Sequence, residues 1–155
     1  MRRIFICSPY RADTPEGIEA NVARTIAACQ AVMSVGDYPV APHLYLTRLL
    51  DDADPHQRAI GLELGRLELA TCDELYWWQA ENAAPGEFSE GQEGDMAAAR
   101  ALRLPIADGA DTVALRRAEL EGLIGRAAPS PFMRPEDVRQ RFERVVIRRW
   151  GRIAP

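Results

Sequence analysis

Short apolar runs alternate with stretches of helical period over the first two-thirds of the chain. Arg3–Cys7 is an apolar run of strand length that ends at the turn signal Ser8-Pro9-Tyr10. Residues 18–35 follow, with Ile18, Val22, Ile26, Cys29, Val32 and Met33 at helical spacing and Gly36 placed to close the helix. Residues 38–42 predict a brief strand edged by prolines, 44–50 a helical turn and 55–70 a longer helix. Residues 73–78 predict a third strand on the β character of Leu75, Tyr76, Trp77 and Trp78. A polar loop over 80–88, a helix over 89–102 and a short strand over 105–107 complete the alternation.

Strands alternating with helices predict an α/β fold: a flavodoxin-like or Rossmann-like three-layer sandwich around a 4–5-stranded parallel sheet. Past Asp108 the pattern changes. Residues 111–124 predict a helix capped by Asp111 or Thr112, 125–135 a proline-rich linker or strap, and 136–150 an amphipathic helix. The expected organisation is an α/β domain over 1–110 and a C-terminal helical extension over 111–155, packing on the body or on a neighbouring subunit.

The composition is that of an ordinary globular chain, at 47% hydrophobic and 27% charged residues. No apolar run approaches the ~18–20 residues that span a bilayer. The basic-then-apolar start (Met1-Arg2-Arg3, Ile4-Phe5-Ile6) is too short for a signal-peptide core. Cys7, Cys29 and Cys72 form no paired motif and suit a reducing compartment, each as a small buried residue, so a cytoplasmic location is expected. No Cys/His cluster has metal-ligand spacing, and neither metal nor cofactor is expected. Every one of the 19 basic residues is arginine. Residues 1–130 carry 12 of them against 20 acids, and residues 131–155 carry 7 against 3. A basic end on an acidic body fits a subunit contact, an intramolecular contact or an anion-binding arm; a nucleic-acid partner is the less favoured use.

In open parallel sheets, ligands bind at the carboxyl ends of the strands. That rule gathers Ser8, Pro9, Tyr10 and Arg11 after strand one, His43 and Tyr45 after strand two, residues 79–89 after strand three, and Asp108 after strand four. Ser89 and Gln92 have capping-box spacing, and a helix start exposes N–H groups that attract an anion. Glu90 lies in that first turn. Gly91 removes a side chain, and Gly91, Asp95 and Ala99 share one helix face at four-residue spacing. A well-capped helix with acids in its first turns accounts for the same pattern. Tyr10 and Arg11 offer a phenol and a guanidinium for a phosphate or a carboxylate, or simply an exposed turn. A lone His43 is more often structural. Adjacent Trp77 and Trp78 face opposite sides of a strand, so one can be core while the other lines a base-sized pocket. Asp73 starts a strand and caps or points elsewhere.

Five segments resemble, in order, the nucleoside 2-deoxyribosyltransferase-like superfamily, and more closely its small bacterial and phage branch of domains of unknown function. They are residues 4–11 (IFICSPYR), 41–44 (APHL), 60–65 (IGLELG), 72–77 (CDELYW) and 89–106 (SEGQEGDMAAARALRLPI). The resemblance implies N-glycosidic chemistry: an N-glycosidase or 2-deoxyribosyltransferase acting on a (deoxy)nucleoside 5′-monophosphate through a carboxylate nucleophile. Aligning the Ser-x-Gly start puts Asp95 where relatives carry the nucleophilic glutamate, Tyr10 where an aromatic orients it, and Ser89 where the 5′ end of the sugar is contacted. Serine there marks monophosphate users, and Arg11 tilts the same way. Ser8, Pro9, His43, Glu90 and Gly91 complete the implied substrate site.

Aspartate is one methylene shorter than glutamate, and a reacting group misplaced by ~1 Å loses ~100-fold in rate. Glu93, two residues earlier, is turned about 200° around the helix, away from the face of Asp95. A catalytically inactive nucleotide-binding or sensing module is therefore the alternative. Relatives assemble with neighbours completing each pocket, which implies a homo-oligomer. The PGGxGTxxE hallmark of cytokinin-activating phosphoribohydrolases is absent.

Overall fold

The computed structural model describes residues 1–80 and 83–126. Its elements run β1 (Arg3–Cys7), α1 (Pro15–Ser34), β2 (Tyr38–Val40), α2 (His43–Leu49), α3 (Pro55–Leu69), β3 (Glu74–Trp77), α4 (Glu90–Ala101), β4 (Ile106–Asp108) and α5 (Gly109–Arg126). The four strands form one sheet in the order β2-β1-β3-β4. All neighbours are parallel, with Phe5 opposite both Val40 and Leu75, and Trp77 opposite Asp108.

Alternation along the strands builds the layers. Ile4, Ile6 and Tyr76 turn to one face, where Ala28 and Val32 of α1 and Val113 of α5 cover them. Phe5, Cys7 and Leu75 turn to the other, against Leu69 of α3 and Met96 and Ala99 of α4. The result is the three-layer α/β sandwich that the alternation predicts. Met1–Ala118 forms one compact unit. Among the described residues, no helix is long and apolar enough to cross a membrane.

Several boundaries differ from expectation, each for a local reason. α1 starts at Pro15 rather than residue 18, because the Thr14 side chain accepts from the Gly17 N–H at 3.1 Å and Pro15 suits a first helical position. β4 starts at Ile106, after Pro105. α5 starts at Gly109 and is capped by Asp108, whose Oδ1 accepts from the Asp111 N–H at 2.9 Å, so neither Asp111 nor Thr112 is its cap. α5 also continues through Gly125 to Arg126, past the predicted start of the linker. The predicted helix over 136–150 and the rest of the strap lie outside the described residues.

The amino end of the sheet is pinned by charge. The buried Asp37 carboxylate meets Arg2 Nη2 at 3.0 Å and Arg116 Nη1 at 2.6 Å, and also accepts from the Arg2 backbone N–H at 3.0 Å. Arg2 further pairs with Glu74 and donates to the Tyr76 hydroxyl at 2.9 Å. Asp73 belongs to this rim too, its Oδ2 accepting from the Arg3 N–H at 2.7 Å. The opposite rim, where the strands end, carries the loops that form the site.

Candidate functional site

Strand order fixes where a crevice opens. From β1 the chain moves outward to β2, and then returns past β1 to β3. The connections after β1 and β3 therefore diverge, which is where ligands enter sheets of this kind. A cavity of about 340 Å³ lies at this rim. It is lined by Ser8, Tyr10 and Arg11 after β1, His43 at the first position of α2, and Ser89, Glu90, Gly91 and Asp95 at the start of α4. Eight of the nine residues that the resemblance implies at the site thus share one cavity. Pro9 lines a neighbouring hollow instead.

The α4 start is built as its sequence spacing predicts and is then tied to the sheet. Ser89 Oγ accepts from the Gln92 N–H at 3.4 Å, and Gln92 Oε1 accepts from the Ser89 N–H at 3.2 Å, which closes the capping box. The Gln92 side chain is buried. Its Nε2 donates to the Trp78 carbonyl at 2.9 Å and the Cys7 carbonyl at 3.4 Å, binding the helix start to the ends of β3 and β1. Asp95 follows Gly91 by one turn on the cavity face, and a Cβ added at Gly91 would meet open space. Exposed Glu93 does not line the cavity.

Electrostatics separate the two titratable groups deepest in the site. Burial raises the Asp95 carboxyl to about 6, against a lowering pull from Arg66. Burial lowers His43 to about 4, which keeps its ring neutral at neutral pH. Its Nε2 stands 3.1 Å from Thr25 Oγ1 and 3.3 Å from Ser8 Oγ. Thr25 commits its one proton to the Asn21 carbonyl at 2.9 Å, so it accepts from Ser8 and from a proton on His43 Nε2. Tyr10 lies beside this group, its ring centroid 6.2 Å from that of His43. Burial also raises all three thiols. Cys29 and Cys72 reach about 11, and Cys7 is pushed further, with the Asp95 charge adding to the effect of burial.

Arg11 is placed less freely than its turn position suggests. Its Nε donates to Asp52 Oδ2 and its Nη2 to the Asp52 carbonyl, both at 2.6 Å, while Arg58 Nη1 reaches the same carboxylate at 2.9 and 3.0 Å. Asp52 and Arg58 both line the cavity and were not expected there. Their only sequence signal is the turn-rich acidic stretch before α3. Gly61 and Gly65, also unexpected, bring α3 close to the α2 side, with Leu50 and Pro42 nearest to any added Cβ. Their four-residue spacing within IGLELG was the signal available. Buried Leu46, on α2, adds an apolar wall.

Other expected residues serve the walls rather than the cavity. Neither tryptophan lines it, contrary to expectation: Trp77 packs edge-on against Phe88 at 5.2 Å between centroids, and Trp78 lies against Tyr76 and Gly109. Exposed Tyr45 bonds Glu68 instead. Gln79 ties down the loop before α4 by donating to the Ala84 and Glu87 carbonyls at 2.9 and 3.0 Å. No group of three or more His, Cys, Asp or Glu suited to a metal ion occurs among the described residues.

In fold the chain is similar to a 2-deoxyribosyltransferase of the psychrotolerant bacterium Bacillus psychrosaccharolyticus, at a TM-score of 0.51 and 13% sequence identity. The superposition covers 67% of this chain and 69% of that one. No curated protein matches in sequence. A family model described as a domain of unknown function, DUF7768, matches residues 2–108, the whole sheet and its rim, and the chain belongs to that family.

Proposed function

We propose that the chain is an enzyme that cleaves or exchanges the N-glycosidic bond of a (deoxy)nucleoside 5′-monophosphate, with Asp95 as nucleophile. The observation that carries this is the convergence of Asp95, Tyr10, Ser8, Arg11, His43 and the 89–91 helix start on one cavity at the carboxyl rim. The volume of about 340 Å³ suits a nucleoside, and the fold is similar to that of a 2-deoxyribosyltransferase.

The chemistry follows from a carboxylate facing an anomeric carbon. An Asp95 oxygen forms a bond to C1′ while the C1′–N bond breaks, and its electron pair leaves with the base, which takes up a proton. The glycosyl ester is then attacked at C1′ by water or by a second base, and the Asp95 carboxylate returns. With its carboxyl at about 6, Asp95 is largely ionised at neutral pH, yet partly desolvated, which suits a nucleophile. Tyr10 orients it. Ser89 and the N–H groups of the α4 start receive the 5′-phosphate, which the helix dipole favours. Neutral His43, held through Nε2, meets the base or sugar without adding charge.

The test is a panel of nucleosides and 5′-monophosphates incubated with the protein and chromatographed for free base. Release from at least one, abolished in Asp95→Ala, is expected, and no release from any of them sinks the proposal. One observation favours a second assignment, a nucleotide-binding module without turnover: Asp95 is a methylene shorter than the glutamate its position implies. In that case nucleotides raise the melting temperature and are recovered intact.

The same proposal includes a homo-oligomer in the cytoplasm. Ile60, Leu64 and Leu67 form an i, i+4, i+7 stripe on α3 with 39%, 40% and 60% of their surface exposed, which supports a covered face on the helix that walls the cavity.

A further inference from the structure

Ser8 after β1, Thr25 within α1 and His43 at the start of α2 share one hydrogen-bond network beside the cavity. Ser8 and His43 line the cavity, whereas Thr25 is fully buried behind them and does not. The Thr25 hydroxyl is out of a ligand's reach, so any effect it has on the site passes through the other two side chains.

One proton sets the direction of every bond in this network. Thr25 Oγ1 lies 2.9 Å from the Asn21 carbonyl one turn back, an oxygen that can only accept, so the Thr25 proton is engaged there. Toward Ser8 Oγ, 2.8 Å away, Thr25 then offers lone pairs alone, and two oxygens that close need a proton between them. That proton is the one on Ser8. Neither hydroxyl keeps a proton for His43 Nε2, which stands 3.1 Å from Thr25 and 3.3 Å from Ser8. Nε2 therefore carries its own. Burial lowers His43 to about 4, and a neutral imidazole has a single N–H, so Nδ1 is a bare acceptor. Among the described residues Nδ1 has no hydrogen-bond partner, yet it is not sealed in the core.

The consequence reaches the cavity. Ser8 turns its proton inward to Thr25 and His43 turns its N–H the same way, so both leave lone pairs for a ligand. We propose that Thr25 is a positioning residue that fixes the Ser8–His43 wall as acceptor-only, so that this wall takes a hydrogen-bond donor of the ligand: an amino group or ring N–H of the base, or a sugar hydroxyl. This rests on assigning the cavity to a nucleotide.

The first test reads the tautomer. Long-range proton–nitrogen spectra of the full chain, labelled at its two histidines and assigned with His56→Gln, should show His43 as Nε2–H in the wild type and in Thr25→Ser. Thr25→Val keeps the shape and removes the hydroxyl. The Ser8 proton is then released to Nε2, and the ring should shift toward Nδ1–H. The second test is calorimetric titration with the common nucleoside 5′-monophosphates and with analogues that each lack one donor: deamino bases, N3-methylthymine, and 2′- and 3′-deoxy sugars. Loss of one donor should weaken binding at least about tenfold, and which analogue does so tells base from sugar. The preference should fall below about threefold in Thr25→Val and return in Thr25→Ser. Nδ1–H in the wild type, or equal wild-type affinity for every analogue, overturns the inference and leaves the nucleotide assignment standing; both are read without the valine variant, whether or not it folds. A preference that Thr25→Val leaves intact overturns it too. Failure of every nucleotide to bind overturns both.

Discussion

The Gln92 side-chain amide donates to the Trp78 carbonyl at 2.9 Å, so the residue that closes the α4 capping box also ties that helix to the end of β3. Both faces of one amide are used: Oε1 toward Ser89, Nε2 toward the sheet. Gln92→Leu would keep the volume and leave the Trp78 carbonyl, beside buried Cys7, without its amide donor. An unsatisfied buried polar group costs about 1–3 kcal/mol. The expected outcome is a denaturant midpoint lowered by that amount, together with weaker nucleotide binding. Unchanged stability and binding would show that the tie does not position the helix start.

Asp95 and His43 bias folding in opposite directions with pH. The Asp95 carboxyl is raised from 3.8 to about 6 on folding, so the folded chain holds a proton that the unfolded chain has lost, and this contribution to stability falls as pH rises from 4 to 6. His43 is lowered from 6.5 to about 4, so the unfolded chain holds the extra proton, and its contribution to stability rises with pH over nearly the same window. The two slopes oppose each other in the wild type. Asp95→Asn should leave stability rising with pH between 4 and 6.5, and should stabilise the protein at pH 7 by about 1–3 kcal/mol. His43→Gln should leave stability falling with pH over the same range. Denaturation midpoints of the three proteins across pH 4–7 read this directly; parallel profiles would refute it.

Gly109 has no room for a methyl group. A Cβ there would stand 2.4–2.5 Å from three atoms of the Trp78 indole. Gly109→Ala must push a packed ring off its seat, and overpacking of that kind costs about 1–3 kcal/mol. Thermal unfolding should report a lower melting temperature, while the near-neutral control Gly91→Ala, where the space is open, should not move it.

The exposed α3 stripe gives an assembly test. If a second copy covers Ile60, Leu64 and Leu67, the wild type should exceed the 17.2 kDa of one chain in light scattering, and Leu64→Arg should return it toward that mass. A wild type that already weighs 17.2 kDa in solution rules the contact out.

Local signals carried well into the structure and distant ones did not. The alternation of apolar runs and helical periods is enough for the parallel sandwich, because the central strands β1 and β3 are buried on both faces and read as short apolar runs. Ser89 and Gln92 announced the capping box by spacing alone. The same glutamine's bonds to Trp78 and Cys7 had no sequence signal, since they depend on which strands end beside α4. Asp52 and Arg58 carry no such signal for a related reason: their place at the cavity goes with a long-range pairing of Arg11 with Asp52, 41 residues on. Of Trp77 and Trp78, either of which could have lined the pocket, neither does, because strand alternation predicts opposite faces but not where a cavity opens. Asp108 took over as cap from Asp111 because β4 runs into α5 without a loop, which no propensity encodes.

The charged seam of Arg2, Asp37 and Arg116 sits at the rim opposite the cavity, one residue from the exposed Met1. A chain anchored to a sensor surface through its amino terminus would therefore be held by its inert side, with the cavity mouth turned toward the flowing solution. That orientation makes surface-based ligand screening a practical format for this protein.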